Sequence, residues 1–186
     1  MKTTGTVRAI FVDRDGTLNR MVYDETHGLM DSPRRTAQVE LVLGAGKFLR
    51  RMREKGFLIV VVTNQPGVAK KTISLKDLEA VNRRLAALLA KEGGRWDALY
   101  YCPHHPGSGR GGAASSRFVR ACCCRKPRPG LLLKAASDHG IDLAASWLVG
   151  DGLNDIQAGK AAGCRTVLLT RLKIEQIERF LGVEGG

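Results

Sequence analysis

A parallel α/β sheet with helices on both faces is the fold class this sequence predicts, and three observations predict it. Short apolar runs rich in Val, Ile and Leu recur along the chain. Segments of helical periodicity alternate with those runs, and the polar residues suited to chemistry directly follow them. Strands buried on both sides read as continuous apolar runs. Their alternation with helices implies crossover units and hence a parallel, Rossmann-like sheet. Ligands in such sheets sit at the carboxyl ends of the strands, which is where the polar residues lie here.

Taken in order, Ala9–Val12, Phe57–Val62, Ala98–Tyr101, Trp147–Val149 and Thr166–Leu169 are the expected strands. Between the first two, Ala45, Phe48, Leu49 and Met52 share one helical face, and Gly56 is the stop. Leu75, Leu78, Val81, Leu85 and Leu88 form a second apolar face, with Ser74 and Asp77 spaced as a capping box and Gly93-Gly94 at the exit. Pro129 can open a third helix carrying Leu132, Ala135 and Ala136, which Gly140 ends. Ile156 to Ala162 followed by Gly163 gives a short fourth helix, and Ile174, Ile177 and Leu181 suggest a last one. Two segments fall outside the alternation. Leu18 to Leu43 reads as a polar connection containing Pro33, and Gly107 to Ser116 as a Gly/Ser-rich loop tip.

A chain of 186 residues is expected to form a single domain over 1–186, with a substantial core. The sequence holds no apolar stretch approaching the ~20 residues of a membrane span, and Met1 to Val7 lacks the apolar centre of a secretory signal. A cytoplasmic protein with no membrane partner is expected. With no coiled-coil seam or exposed apolar stripe in the pattern, so is a monomer. The formal net charge of +12 fits nucleic acid, an anionic surface or a phosphorylated substrate. Many of the basic residues, such as Lys47, Arg50, Arg51, Arg53 and Lys55, lie on a helical stretch that solvent explains equally well.

The chemistry concentrates at strand ends. Ile10 to Thr17 read Ile-Phe-Val-Asp-Arg-Asp-Gly-Thr. Side chains alternate along a strand, so Asp13 and Asp15 converge only if the chain curls after Asp13, and Gly16 permits that curl. Asp151, in Gly150-Asp151-Gly152-Leu153-Asn154-Asp155, brings a third carboxylate. Oxygen donors of this kind suit Mg2+, which also offsets repulsion among the acids. Thr63 and Asn64 offer hydroxyl, amide and backbone N–H groups for phosphate oxygens, and Lys126 offers a positive charge. In this reading Asp13 is the nucleophile that forms an aspartyl phosphate. Asp15 protonates the leaving alcohol and later deprotonates water. The bland alternatives are a surface Asp-Gly turn at Asp13 and Asp15, and simple caps at Thr63, Asp151 and Asp155.

Five cysteines, three of them consecutive, argue against a disulfide framework and for metal ligation. Cys102-Pro103-His104 and Cys122-Cys123-Cys124 are two alternately spaced pairs joined by a loop. Cys102, His104, Cys122 and Cys124 together supply a tetrahedral Zn2+ set in a zinc-binding loop at about 102–124. Cys123 and His105 would then point away. Four protein ligands leave no open position, so this zinc would be structural and would fix the loop that delivers Arg125 and Lys126.

The order Asp13-Arg14-Asp15-Gly16-Thr17, Thr63-Asn64-Gln65, Lys126 and Gly150-Asp151 with Asp155 resembles the four motifs of the haloacid dehalogenase (HAD) superfamily of phosphatases, over roughly residues 8 to 170. Tyr100-Tyr101-Cys102-Pro103-His104-His105-Pro106 and Cys124-Arg125-Lys126-Pro127-x-Pro-Gly are similar to the heptose bisphosphate phosphatases within it, and to the related histidinol-phosphate phosphatases. That resemblance implies no large cap domain, which suits the short Leu18–Leu43 connection. It implies Asp13 as nucleophile, Asp15 as acid/base and Asp151 as a Mg2+ ligand. Thr63, Asn64 and Lys126 would hold the transferring phosphate, and Arg125 the other anionic end of a phosphorylated sugar. The expected reaction is removal of the 7-phosphate of D-glycero-D-manno-heptose 1,7-bisphosphate, in the synthesis of nucleotide-activated heptose for lipopolysaccharide or S-layers. Gly152, the longer His105–Cys122 loop and Lys70-Lys71 depart from the group's pattern, and the first and third of these fall in expected substrate-facing loops.

Histidinol phosphate is the nearest alternative substrate. A polynucleotide 3'-phosphatase shares the Asp-x-Asp-Gly-Thr motif but is not expected to carry the zinc loop. Aromatics at 5% also leave little for a base-stacking row. A zinc-stabilised nucleic-acid-binding module without catalysis would explain the charge. It would not explain three carboxylates at strand ends, which repel phosphates unless a cation intervenes. No nucleic-acid partner is therefore expected.

Overall fold

The computed structural model describes residues 6–107 and 117–169. Its elements are β1 (Ala9–Val12), β2 (Val22–Asp24), β3 (Leu29–Asp31), a short 3-10 turn (Thr36–Gln38), α1 (Ala45–Glu54), β4 (Leu58–Asn64) and α2 (Leu75–Lys91), followed by β5 (Ala98–Cys102), α3 (Gly130–His139), β6 (Trp147–Gly150), α4 (Leu153–Ala162) and β7 (Arg165–Leu168). Five strands form one sheet in the order β5-β4-β1-β6-β7. Every neighbouring pair in it is parallel, with Phe11 opposite Val60 on one side and Leu148 on the other. The chain moves outward from β1 to β5, then returns to the far side of β1. That reversal opens a crevice at the carboxyl end of β1, the usual ligand position in such sheets.

Strand alternation sorts the core into two layers. Ile10, Val12, Ile59 and Val61 face α1 and α2, meeting Phe48, Leu49, Met52, Leu78, Val81 and Leu85. Ala9, Phe11, Val60 and Val62 face the other way, towards Leu131, Leu132 and Ala135 of α3 and Ala158 and Ala162 of α4. Helices therefore cover both faces, as expected. Local chemistry sets their ends. The Ser74 side chain accepts from the Asp77 N–H at 3.0 Å and caps α2. Gly140 and Gly163 close α3 and α4 in the left-handed conformation.

The Leu18–Leu43 connection differs from a plain loop. It folds into the antiparallel β2–β3 hairpin and the 3-10 turn, with Tyr23, Leu29 and Met30 exposed. No large cap covers the crevice among the described residues. Helix α4 begins at Leu153, three residues before the expected Ile156. The acid at Asp155 explains this: its Oδ2 accepts from the Gly152 N–H at 3.1 Å and caps the first turn. The expected last helix around Ile174, Ile177 and Leu181 lies outside the described residues, as does all of the expected Gly107–Ser116 loop after Gly107. Among the described residues, no helix is long and apolar enough to cross a membrane.

Candidate active site

Asp13 leaves β1 at the crevice, where its backbone N–H continues the sheet ladder to the Val149 carbonyl at 2.9 Å. Carboxylate oxygens of Asp13, Asp151 and Asp155 all lie within 4.8 Å of one another. The curl that brings them together depends on Gly16. It has φ +86°, and a Cβ there would collide with the Asp151 carboxylate. Gly150 is equally constrained, because a Cβ would run into Asp155.

Lys126 enters this cluster from the chain that follows Cys124. Its buried Nζ donates to Asp13 Oδ1 at 2.6 Å, to Asp155 Oδ1 at 2.6 Å and to the Val62 carbonyl at 2.8 Å. Burial presses the ammonium towards neutrality, but Asp13 and Asp155 outweigh it and raise its pKa above the ordinary value. One ammonium against three carboxylates leaves negative charge in surplus. Burial raises the Asp13 pKa to about 7, with Lys126 opposing and Asp155 and Asp15 adding to the rise. Burial and Asp155 push Asp151 upward as well. A divalent cation with hard oxygen ligands is the species this donor set fits.

Asp15 faces a different environment. Its side chain is not in the 4.8 Å carboxylate group. Oδ1 accepts from Arg14 Nε at 3.1 Å and Asn19 Nδ2 at 3.0 Å. Oδ2 accepts from Arg14 Nη2 at 3.0 Å, Ser32 Oγ at 2.9 Å and Gln65 Nε2 at 2.7 Å. Burial presses its pKa upward, but the Arg14 charge and these hydrogen bonds prevail and hold it below the ordinary value. Two neighbouring acids are thus driven in opposite directions in the metal-free site, Asp13 towards the protonated form and Asp15 towards the carboxylate.

Thr63 is buried at the end of β4, and its hydroxyl accepts from Gln65 Nε2 at 3.0 Å. Asn64 spends its side chain on the chain itself. Its Nδ2 donates to the Lys126 carbonyl and its Oδ1 accepts from the Lys126 N–H, both at 3.0 Å. The structure therefore makes Asn64 a tether for the Lys126 backbone. Arg125 Nη1 donates to the His104 carbonyl at 3.3 Å, and Arg125 lines a cavity of about 230 Å³ with Pro106, Arg120, Lys126 and Arg128. A larger cavity of about 580 Å³ lies beside the hairpin, lined in part by Tyr23, Ser32, Arg34 and Thr72.

Cys102, His104, Cys122 and Cys124 meet in a second cluster. The sulfurs lie 3.2 to 3.5 Å apart, and His104 Nδ1 is 3.7 Å from Cys102 and 3.3 Å from Cys124. A tetrahedron with ~2.3 Å metal–sulfur bonds has edges of roughly 3.7 Å, so the quartet is close to a zinc cage. The three thiols of this cluster are free of disulfides. Burial raises the Cys102 and Cys124 pKa values, while at Cys122 the neighbouring thiols overcome burial and lower it. Cys123 is exposed and His105 turns to Gly107, so both lie off the cluster.

Residues 123–173 match the HAD-hydrolase-like family model. The D-glycero-beta-D-manno-heptose-1,7-bisphosphate 7-phosphatase of Yersinia pestis is 38% identical over 90% of this chain and 82% of its own length. The enzyme of that name from Escherichia coli K12 is 39% identical over 89% of this chain and 80% of its own. The chain belongs to the HAD phosphatase family. Among solved structures, the D,D-heptose 1,7-bisphosphate phosphatase of B. bronchiseptica, complexed with magnesium and phosphate, is 31% identical with TM-score 0.70. That alignment covers 87% of this chain and 80% of the other.

Several residues of this HAD phosphatase site carry more than their sequence context reveals. Asp155 belongs to the fourth motif, yet its contact with Lys126 emerges only in three dimensions. Arg14, Asn19, Ser32 and Gln65 surround Asp15 without any spacing that marks them. Asn82 offers a signal, as a polar residue on the otherwise apolar face of α2.

Proposed function

We propose that this HAD phosphatase removes the 7-phosphate of D-glycero-D-manno-heptose 1,7-bisphosphate through an aspartyl-phosphate intermediate, in a cytoplasmic pathway of nucleotide-activated heptose synthesis. One observation carries the chemistry: a buried carboxylate at the end of the central strand, gripped by Lys126 and grouped with Asp151 and Asp155. The substrate rests on relatives named for it at 38–39% identity over nearly the whole chain.

Asp13 and Asp151 would hold Mg2+, with Asp15 at the same turn. Once bound, the cation neutralises the site and the incoming phosphoryl oxygens. Asp13 attacks phosphorus, and its carboxylate becomes the acyl phosphate. Lys126 Nζ, 2.6 Å from Asp13 Oδ1, steadies the charge that develops on the transferring group. Thr63 and Asn64 border that group at the end of β4. Asp15 gives a proton to the departing sugar oxygen, then takes one from the water that attacks the phosphoenzyme. Both forms of Asp15 have a partner in Ser32. A hydroxyl 2.9 Å from Oδ2 donates to the carboxylate and accepts from the carboxylic acid.

Arg125 and its cavity would take the remaining anionic end of the substrate. Cys102, His104, Cys122 and Cys124 would hold a structural Zn2+. The test is Mg2+-dependent phosphate release from both anomers of the bisphosphate, from histidinol phosphate and from a 3'-phosphorylated oligonucleotide, with Asp13→Asn as control. Preferential, Asp13-dependent release that leaves the 1-phosphate supports the reading. Preference for histidinol phosphate or the oligonucleotide refutes the substrate, and release that survives Asp13→Asn refutes the mechanism.

A further inference from the structure

Among the described residues, the largest fully buried side chain is not apolar: it is Arg14, between the two motif acids. Its guanidinium forks onto Asp15, with Nε 3.1 Å from Oδ1 and Nη2 3.0 Å from Oδ2. The third nitrogen, Nη1, donates at 2.7 Å to Oδ1 of Asn82 on α2. Arg14 and Asn82 are far apart in sequence, and Asn82 interrupts the row Leu78, Val81, Leu85 and Leu89 that α2 buries. A polar residue in such a row is costly unless its hydrogen bond serves something.

We infer that Asn82 and Arg14 form a positioning clamp that fixes the plane of the Asp15 carboxylate for proton transfer. The inference rests on the acid/base reading of Asp15. A bidentate guanidinium–carboxylate pair sets orientation as well as position. The fork alone leaves the guanidinium free to pivot with the carboxylate, because both belong to the same turn. Asn82 removes that freedom by anchoring Nη1 to a helix whose own face is packed into the core. Arg14 occupies a place on each oxygen of Asp15, which leaves Asn19, Ser32 and Gln65 as the donors that exchange when a proton arrives. Asn82 and Arg14 touch no reacting atom and act only through Asp15.

The experiment compares Asn82→Leu, which fills the site but offers no acceptor, with Asn82→Asp, which keeps an oxygen for Arg14. Each is assayed with an alkyl phosphate and with 2,4-dinitrophenyl phosphate, whose leaving group departs without a proton. For Asn82→Leu, kcat on the alkyl phosphate should fall about tenfold to a hundredfold with KM unchanged, within the range for misplaced general acid–base groups. With dinitrophenyl phosphate, the first-turnover rate should stay within about twofold of the parent. A stoichiometric burst should then precede slow turnover, because only phosphoenzyme hydrolysis needs Asp15 as base. Asn82→Asp should restore the alkyl phosphate kcat and the turnover that follows the burst.

An Asn82→Leu protein indistinguishable from the parent overturns the clamp. So does one that loses the burst rate and the alkyl rate equally, which marks general damage to the fold. Failure of Asn82→Asp to restore activity also overturns it. Asp13→Asn tests the underlying reading separately, since it should abolish the burst whatever the state of the clamp.

Discussion

Magnesium affinity should fall about tenfold between pH 8 and pH 6, and the structure sets the scale. Burial raises Asp13 to about 7 in the metal-free site, so below neutrality one proton competes with the cation for this carboxylate. A competing proton at pKa 7 leaves about nine-tenths of Asp13 ionised at pH 8 and about one-tenth at pH 6. The difference corresponds to about 1.4 kcal/mol of binding free energy. Asp151, raised by burial and Asp155, shifts in the same direction. Isothermal titration of Mg2+ in two buffers of different ionisation enthalpy measures both affinity and proton release. About 0.9 proton should be released per cation at pH 6 and about 0.1 at pH 8, counting Asp13 alone. The same shift has a stability signature. A raised carboxylate contributes stability that is complete below its unfolded value near 3.8 and is lost as pH rises through about 7. The metal-free protein should therefore lose this contribution between about pH 4 and pH 7 and stay level above that, and saturating Mg2+ should restore stability most at the alkaline end. Equal affinity at pH 6 and pH 8 with no proton release would refute the electrostatic account of the cluster.

Gly16→Ala should lower Mg2+ affinity at least about tenfold, because its Cβ takes the space of the Asp151 carboxylate and its φ of +86° strains any L side chain. Titration calorimetry, with circular dichroism to confirm the fold, checks this. Lys126→Met should cost about 3–5 kcal/mol in urea unfolding of the metal-free protein, since Asp13 and Asp155 stay buried without their shared ammonium. A change below about 1 kcal/mol would show that those acids are already protonated or solvated. Metal analysis should find one zinc per chain, and Cys124→Ser should lose it. Without the metal, stability should drop by at least about 3 kcal/mol, a fall in Tm of about 6–12 °C for a chain of this size.

What the sequence made legible follows from burial. Strands covered on both faces must be apolar throughout, so β1, β4, β5, β6 and β7 announce themselves, and the residues just beyond them mark the crevice. The β2–β3 hairpin leaves no such trace. Its strands are three residues each and carry exposed Tyr23, Leu29 and Met30, so no buried face imposes a pattern. The start of α4 is hidden for a related reason: Leu153 is exposed, and the cap comes from Asp155 rather than from a residue before the helix. Arg14 reads as a surface residue between two acids. Only the fold shows that the curl at Gly16 turns it inward to Asn82. Asn64 has the composition of a phosphate ligand, yet its two polar atoms are taken by the Lys126 backbone.

That last contact bears on why a metal-like cluster stands beside the carboxylate site. Lys126 must reach two carboxylates at 2.6 Å, yet it lies in irregular chain between β5 and α3. Irregular backbone alone does not hold a side chain to the fraction of an ångström that such contacts demand. Three restraints take over. The Asn64 side chain clamps both polar atoms of the Lys126 peptide to the end of β4. The Gly130 N–H binds the Cys123 carbonyl at 3.1 Å and joins the loop to the start of α3. Cys102, at the end of β5, meets Cys122 and Cys124 just before Arg125, so a bound cation would lock the loop to a third element. Helix and two strands then converge on five residues, and the lysine that follows Arg125 inherits their rigidity.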